Sequence, residues 1–412
     1  MQPRQTATQR RRLQRRAQRR THKRSRRRCR VKALGDIAHA HGFSTWHEVA
    51  DEAQLCALLT SNAGSKHFAV IGNGSQLGCG APIRRDAELL SLRRLDQIIE
   101  LDPEDLSITV QPGISLGKVQ TAIQEHGLML DSGPFPGQEQ RSIAGLLAEA
   151  PPSPRGHDRG SLRSQVLGLR GVDGKGRVFR AGGRVIKNVA GYDMMRLFVG
   201  SGGSMFAGLE FTLRLVHQPE AELCLHSREM SQGEGIAAWL HLRRSERELR
   251  ACDLILLPGG KSKVCAFFEG PTPFIDALRD DLAKPQWQQF SPQQQSLSHV
   301  PTSGSPMRSR GALRASQLGS FLQLLKQDME LCLHMQGDFI LYGAWDDSTH
   351  WPEACHLRAI EPQDGSSELP IGTRISRAEA QTAEQLQHAL GDSFACGRYS
   401  FDTGPQHVEE EA

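Results

Sequence analysis

The sequence predicts an α+β fold made of at least two packed domains. Three observations support this prediction. The chain has 412 residues, which is enough for two or three domains with separate hydrophobic cores. Its 38% hydrophobic and 23% charged residues are an ordinary balance for a soluble protein. Segments with the two-residue alternation of β-strands are interleaved with segments that have the periodicity of amphipathic helices.

Residues 1–35 are expected to form a disordered, Arg-rich tail. The first 32 residues contain 15 Lys and Arg and no acid, which leaves 35 of the 50 basic residues against 46 acidic ones in residues 33–412, a formal charge of −11. A segment with so little apolar surface is not expected to fold. Three interpretations stay open: a solvated tail translated from a start upstream of the true one, a contact for nucleic acid or an anionic membrane, and an organellar presequence.

The first folded domain is predicted at residues 36–217. Its expected strands alternate or are continuously apolar, and they are His67–Gly72, Ser107–Gln111, Ser164–Gly171, Gly176–Arg180 and Glu210–Val216. Its expected helices are Glu48–Leu59 and Leu116–His126, the second ended by Gly127. The turn Asp173-Gly174 is expected to join two of the strands into a hairpin.

A second domain is predicted at residues 218–403, followed by an acidic tail at 404–412. Its expected strands are Asp253–Leu257, Val264–Glu269 and Phe339–Trp345. Its expected helices are Phe274–Leu282, Ala315–Glu330 and Ala378–Leu390. The segment 285–306 is rich in Gln, Ser and Pro and is predicted to be a loop.

Composition limits the possible functions. No apolar stretch approaches the roughly 20 residues that a membrane-spanning helix needs. The nine cysteines are spread singly, which favours reduced thiols and a cytoplasmic location. Since no Cys-x-x-Cys motif occurs, the sequence predicts no metal site, and we expect any iron–sulfur centre to lie on another polypeptide. Nucleic acid is not an expected partner of the folded region, because only the tail is basic.

Three glycine-rich segments are candidates for binding a phosphate or a flat ring. Gly72–Gly80 follows a strand directly, and its glycines would let backbone N–H groups approach a pyrophosphate. It matches neither the dinucleotide fingerprint nor the Walker loop, so a plain glycine-rich turn is an open alternative. Residues 140–148 combine a small-residue turn with the start of an apolar helix. The third segment is GGRVIKNVAGYD at 182–193 with LFVGSGGS at 197–204.

This third segment resembles the KNVAGYD-x-x-x-L-x-V-GS-x-GT segment of the PCMH-type (vanillyl-alcohol-oxidase-like) FAD-binding family, and specifically its glycolate oxidase branch. The similarity extends from about residue 36 to 216, with Gly72–Gly80, Ser142–Gly145 and Arg159–Gly168 matching further family motifs in order. The resemblance implies two α/β subdomains that hold FAD, followed by an α+β cap domain over the flavin ring. No His stands in Gly72–Gly80 where some members attach flavin covalently, so non-covalent binding is expected.

The resemblance also implies which residues contact FAD. The pyrophosphate loop would supply Gly72, Asn73, Gly74, Ser75 and Gly78. Contacts to pyrophosphate and flavin would come from Ser142, Ile143, Ala144, Gly145, Gly200, Ser201, Gly203 and Ser204. The main departure is Phe206, which stands where the family has a glycine and is predicted to crowd the cofactor. His334, His350, His356 and Cys355 show no spacing that marks a catalytic group, so no catalytic residue is predicted.

The function implied by the resemblance is that of an FAD-binding oxidoreductase subunit in a complex that oxidises glycolate or another 2-hydroxy acid, as in glycolate catabolism. Its partners would be a catalytic flavoprotein subunit and an iron–sulfur subunit, which accept its electrons. The location would be cytoplasmic, with a peripheral contact to the inner membrane through the complex. The alternative is a non-catalytic scaffold subunit of such a complex, with a degenerate FAD site.

Overall fold

The computed structural model describes most of residues 33–282 and several strands beyond them. The described part excludes 63–64, 75–76, 78–82, 84–85, 131–138, 152–154, 157–159, 184–197 and 245–248. After residue 282 it comprises 287–290, 308–312, 322, 330–335, 338–342 and 358–359. The Arg-rich tail, the predicted helix Ala378–Leu390 and the acidic tail lie outside the described residues. In this described part, no helix combines the length and the apolar character needed to cross a bilayer.

The first lobe, residues 34–91, packs two helices against a small parallel sheet. Its elements are α1 (Leu34–Ala40), β1 (Trp46–Glu48), α2 (Glu52–Asn62), β2 (Phe68–Ile71) and β3 (Glu88–Ser91). The strand order is β1-β3-β2, and all neighbours are parallel. The prediction of one helix at Glu48–Leu59 was wrong at its start. Trp46–Glu48 pairs with β3, and the helix begins only after Asp51, whose carboxylate accepts a hydrogen bond from the Gln54 N–H at 2.8 Å.

The second lobe, residues 98–217, is built on an antiparallel sheet of six strands. Its elements are β4 (Ile98–Asp102), β5 (Ser107–Val110), α3 (Leu116–Gln124), β6 (Leu128–Leu130), α4 (Ile143–Glu149), β7 (Val166–Val172), β8 (Val178–Gly182) and β9 (Ala207–His217). The strand order is β4-β5-β9-β7-β8, with β6 also paired to β9. The predicted strands of this lobe are confirmed. The hairpin turn is wider than predicted, because Val172 pairs with Val178 and the Asp173 carboxylate accepts from the N–H groups of Lys175 and Arg177.

The third region is a cap domain around a large antiparallel sheet. Its elements are β10 (Ala221–Ser227), β11 (Met230–Ser231), α5 (Gln232–Arg243), β12 (Leu249–Leu257), β13 (Lys261–Gly270), α6 (Thr272–Asp281), β14 (Trp287–Phe290), β15 (Arg308–Ala312), β16 (Glu330–Leu333), β17 (Asp338–Tyr342) and β18 (Arg358–Ala359). The strand order is β14-β10-β13-β12-β16-β17-β15-β18. The predicted 285–306 loop contains strand β14, which is stabilised by pairing with β10. Glu330 lies in a strand, not in the predicted helix.

The hydrophobic clusters correspond to the two lobes and the cap domain. One cluster lies between the two lobes, where Leu55 and Leu59 of α2 pack with Leu209 of β9. Another fills the cap between its sheet and the helices α5 and α6, with Trp239 fully buried at its centre. The cap contacts the second lobe through Arg155, whose guanidinium lies 2.6 Å from the Glu269 carboxylate on β13. The α+β fold with a following cap domain is therefore confirmed.

Candidate functional site

A cleft lies between the sheets of the two lobes. Its lining comes from the end of β2 and the following loop, from α4, and from residues 198–203. The cleft is open to solvent on one side, and about 1010 Å³ of space lies between its walls when the open mouth is included. Three glycine-rich or small-residue segments that are far apart in the sequence therefore meet at one place.

Gly72 and Ser142 hold the first two of these segments together. A Cβ atom at residue 72 would lie 1.9 Å from the Ser142 Oγ, so only glycine fits there. Ser142 is the N-cap of α4, and its Oγ accepts a hydrogen bond from the Gly145 N–H at 3.2 Å. The Asn73 Nδ2 donates to the Gln140 carbonyl at 2.7 Å, which adds a second link between the segments. Since Gly74 has a φ of +73°, the loop also turns in the left-handed region that glycine favours.

The backbone N–H groups along the cleft fall into two classes. Those of Ile143 and Ala144 donate to the carbonyls of Ile114 and Pro112 at 2.9 and 3.0 Å. In contrast, no atom in the described part of the chain accepts a hydrogen bond from the backbone N–H groups of residues 72–74. Successive free N–H groups in a glycine loop form a concavity that suits an anion. The geometry thus favours the loop after β2 as the place for a phosphate, and α4 as a wall.

The third segment is fastened to α4 by its backbone. The Gly200 and Gly202 N–H groups donate to the carbonyls of Leu147 and Ala148, both at 2.8 Å. The Ser204 Oγ donates to the Ser201 carbonyl at 2.7 Å. The Ser201 Oγ is different, because it is buried at the cleft and has no hydrogen-bond partner among the described residues. A buried hydroxyl without a protein partner is a natural contact for a polar ligand atom.

Phe206 lies in the cleft wall and in the core at the same time. Its side chain is 8% exposed, and its ring centroid lies 4.7 Å from that of Phe198 and 6.4 Å from that of Phe211. Space for the ring exists because residue 171 is glycine, where a Cβ would lie 2.6 Å from the Phe206 Cδ2. The large side chain at this position is therefore accommodated by a small residue on the neighbouring strand.

The structure brings many of the predicted contact residues to the cleft. Seven of them line it: Gly72, Gly74, Ser142, Ala144, Gly145, Ser201 and Gly203. Four lie beside or behind its wall: Asn73, Ile143, Gly200 and Ser204. Ser75 and Gly78 lie outside the described residues. The apolar lining, such as Leu169 and Val199, was not predicted as part of a site, because its sequence pattern is that of ordinary core strands.

The cap sheet has an unusual face turned toward the second lobe. The guanidinium of Arg155 lies 4.8 Å from the centroid of the Phe267 ring on this face. On the same face the Asp253 carboxylate is hydrogen-bonded to the His334 Nδ1 at 2.9 Å, and both side chains are buried. His334 is thus a core histidine with a specific partner. His350, His356 and Cys355 lie outside the described residues.

Two thiols and an imidazole meet on this face. The Cys224 Sγ lies 3.6 Å from the Cys265 Sγ, which in turn lies 3.4 Å from the His226 Nε2. The Cys265 hydrogen bond lowers the pKa of the Cys224 thiol to about 6 with help from His226, although burial opposes this shift. The same hydrogen bond and burial raise the pKa of Cys265. The hydrogen bond between the two thiols therefore shifts their pKa values in opposite directions.

The cleft and its loops fit a bound FAD. The small residues at its walls leave room for a flat ring, residues 72–74 offer N–H groups to a pyrophosphate, and the Ser201 hydroxyl offers a further polar contact. The chemistry of these residues thus fits the pyrophosphate and the flat ring of FAD.

Comparisons with known proteins agree with this fit. A family model described as FAD binding domain matches residues 38–182. The chain is 36% identical over 171 residues to glycolate oxidase subunit GlcE of Escherichia coli (strain K12), covering 41% of this chain and 48% of that protein. It is 36% identical over 155 residues to glycolate oxidase subunit GlcD of Bacillus subtilis (strain 168), and the match covers 37% of this chain and 33% of that protein. It is 31% identical over 147 residues to D-lactate dehydrogenase of Archaeoglobus fulgidus, and the match covers 36% of this chain and 32% of that protein.

The matched region spans about half of the first relative and about a third of the other two. Among solved structures, an alkyldihydroxyacetonephosphate synthase resembles the chain in fold, with a TM-score of 0.59 and 13% identity over 85% of this chain and 75% of that one. That likeness concerns the fold alone. The family match, the relatives and the cleft together show that this chain carries an FAD-binding domain of the PCMH type and that its cofactor is FAD.

Proposed function

We propose that this protein is an FAD-binding oxidoreductase subunit of a complex that oxidises glycolate or another small 2-hydroxy acid. The observation that carries the proposal is the cleft, in which three glycine-rich or small-residue segments meet and the Ser201 hydroxyl is left for a ligand. Relatives named as glycolate oxidase subunits support the choice of substrate class. Bound FAD supplies a hydride acceptor, and the protein positions it and sets its surroundings.

Each segment has its own role in this proposal. The N–H groups of Gly72, Asn73 and Gly74 hold the pyrophosphate, together with Ser75 and Gly78. Ser142, Ala144 and Gly145 form a wall of small side chains, and Ile143 anchors that wall in the core. Gly200 and Gly203 keep the third segment close to α4, Ser201 donates to the cofactor, and Ser204 fixes the Ser201 carbonyl. The apolar side chains of the cleft exclude water from the flavin. The binding is non-covalent.

We further propose that residues 36–217 bind FAD and that residues 218–403 act as the cap. Electrons leave through a catalytic flavoprotein subunit and an iron–sulfur subunit, because this sequence has no Cys-x-x-Cys motif of its own. The complex works in the cytoplasm, in peripheral contact with the inner membrane.

A second candidate function is a scaffold subunit that retains the fold but uses its FAD site poorly or not at all. The observation that favours it is Phe206, a large side chain in the cleft wall where the resembling family has a glycine. In this case the chain would organise the complex without passing electrons itself.

One experiment distinguishes the two candidates. The tagged chain is purified from cells that express it natively, and its co-purifying subunits, flavin content and glycolate-dependent dye reduction are measured. The leading proposal predicts a flavoprotein partner, an iron–sulfur partner and FAD on this chain after separation from the partners. An active complex in which this chain alone lacks FAD would favour the scaffold. A chain that carries FAD but purifies without either partner would refute the complex.

A further inference from the structure

The cap sheet places three metal-ligating side chains on one face of two neighbouring strands. Cys224 and His226 are two residues apart on β10, and side chains at this spacing point to the same face of a sheet. Cys265 lies directly opposite His226 in the antiparallel pairing of β10 with β13. The three side chains therefore converge without any local sequence motif.

The distances within this group suit a tetrahedral zinc ion. The two sulfurs lie 3.6 Å apart, and the Cys265 Sγ lies 3.4 Å from the His226 Nε2. The ligand atoms of all three residues lie within 4.8 Å of one another. Zinc–sulfur bonds of about 2.3 Å and zinc–nitrogen bonds of about 2.0–2.1 Å at tetrahedral angles place two sulfurs roughly 3.8 Å apart, and a sulfur and a nitrogen roughly 3.6 Å apart. The distance between the two sulfurs and the distance from the Cys265 Sγ to the His226 Nε2 each lie within a few tenths of an ångström of these values.

The surroundings of the group suit a metal site as well. Cys224 and Cys265 are 1% and 3% exposed, so bulk water has little access to the sulfurs, and His226 is half-buried. Two sulfur ligands and one imidazole match the preference of zinc, whereas magnesium and calcium require oxygen ligands. Three protein ligands leave one tetrahedral position open.

We propose that Cys224, His226 and Cys265 bind one Zn²⁺ ion, with a water molecule as the fourth ligand. Both cysteines bind as thiolates, so any thiol proton that they carry is released when zinc binds. The site lies in the cap on the face that carries Phe267, which Arg155 of the second lobe contacts, and it is apart from the loops that line the cleft. It does not depend on the proposed substrate or on partner subunits.

A second group on the same face provides an internal comparison. It consists of Asp253, Cys332 and His334, whose possible ligand atoms also lie within 4.8 Å of one another. However, the Asp253 carboxylate is already engaged by His334, and the Cys332 Sγ lies 4.0 Å from the Asp253 Oδ2. This group offers a single sulfur, which makes it the weaker zinc site and a suitable control.

The test is a metal titration of the full-length protein with FAD bound. The protein is stripped with a chelator under reducing conditions and dialysed against Zn²⁺, and bound metal is measured by mass spectrometry. We expect one zinc per chain, and at least a 100-fold loss of affinity in Cys224→Ser and in Cys265→Ser. Two variants serve as controls and should retain the wild-type affinity for zinc. Cys332→Ser removes the thiol of the second group on the same face, and Cys56→Ser removes a thiol of the first lobe. Circular dichroism and the urea denaturation midpoint check that each variant is folded.

Cobalt provides a readout on the wild-type protein that does not depend on the folding of any variant. Co²⁺ should give the visible bands of a tetrahedral site and a charge-transfer band with the intensity of two thiolate ligands. Absence of stoichiometric zinc and of this spectrum in flavin-loaded, reduced protein would overturn the proposal. It would equally be overturned by loss of zinc in Cys332→Ser, or by unchanged zinc affinity in a folded Cys224→Ser variant.

Discussion

Ser142 occupies the space in which any side chain at residue 72 would begin, because a Cβ there would lie 1.9 Å from the Ser142 Oγ. This contact joins the loop after β2 to the first turn of α4, although 70 positions separate the two residues in the sequence. The two lobes therefore approach each other closely at the cleft, with only the Ser142 side chain between the backbone of residue 72 and α4.

Gly72→Ala is expected to push Ser142 away and to open the cleft. We predict a loss of FAD affinity of at least tenfold, which corresponds to about 1.4 kcal/mol. The measurement is a titration of the apoprotein with FAD by fluorescence. Gly233→Ala is the matched control, because a Cβ at residue 233 meets nothing within 4 Å and the residue lies in α5 of the cap. Equal FAD affinity in Gly72→Ala and the control would show that the contact does not shape the site.

Ser201 and Ser204 should respond differently to replacement by alanine. The Ser201 Oγ has no partner among the described residues, so Ser201→Ala should leave the stability of the apoprotein nearly unchanged while weakening FAD binding by about tenfold. The Ser204 Oγ donates to the Ser201 carbonyl, so Ser204→Ala should lower the free energy of unfolding by about 1 kcal/mol. Chemical denaturation of the apoprotein and FAD titration separate the two effects. Unchanged FAD affinity in Ser201→Ala would refute the assigned contact.

Phe206 is expected to contribute to stability as a core residue. Phe206→Ala should lower the free energy of unfolding by about 3–5 kcal/mol, because it leaves a cavity against Phe198 and Phe211. Phe206→Leu should lower the free energy of unfolding by less, since leucine retains most of the apolar volume. Denaturation midpoints in urea measure both losses. FAD affinity at a temperature where all variants are folded provides a second readout: tighter binding in the alanine variant would mean that the ring crowds the cofactor and would favour the scaffold function.

Glu88 should make the first lobe more stable at neutral than at acidic pH. Burial by itself would raise the pKa of this carboxyl, but hydrogen bonds from Lys66 and His47, both at 2.6 Å, outweigh burial and lower it. A carboxyl with a lowered pKa stabilises the fold above its ordinary pKa of 4.5, and this stability is lost as the pH falls through its pKa in the folded protein.

The corresponding variant is Glu88→Gln. It should be less stable than the wild type by roughly 1 kcal/mol at about pH 6, and the difference should shrink as the pH falls below 4.5. Glu104→Gln, on an exposed turn, serves as the control and should show no such trend. Urea denaturation at several pH values measures the difference. A constant difference between wild type and Glu88→Gln across this range would contradict the assignment.

Local patterns in the sequence were sufficient to predict several elements. The strand predicted at Ser107–Gln111 and the helix predicted at Leu116–His126 depend on neighbouring residues only, and both elements are present, at Ser107–Val110 and Leu116–Gln124. The helix ends two residues earlier than predicted. Strands β1 and β14 were missed because they are three and four residues long and are stabilised by pairing with strands distant in sequence. Short strands of this kind carry too little local signal to be recognised.

In the candidate site, too, local features could be predicted from the sequence and contacts between distant residues could not. The glycine loops were visible in the sequence, because a positive φ or a close backbone approach requires glycine. The contact between Asn73 and Gln140, by contrast, spans 67 residues and depends on how the lobes pack. The Cys224–His226–Cys265 group was hidden for a related reason. Its third member comes from the adjacent strand, so that no Cys-x-x-Cys spacing appears in the sequence.

Flavin content of the purified protein tests the central claim most directly. The protein is denatured, the released flavin is identified by chromatography, and its amount is compared with that of the chain. The account predicts one FAD per chain, taken up from solution by the apoprotein and fully released on denaturation because the bond is non-covalent. Colourless protein that takes up no added FAD would contradict the account.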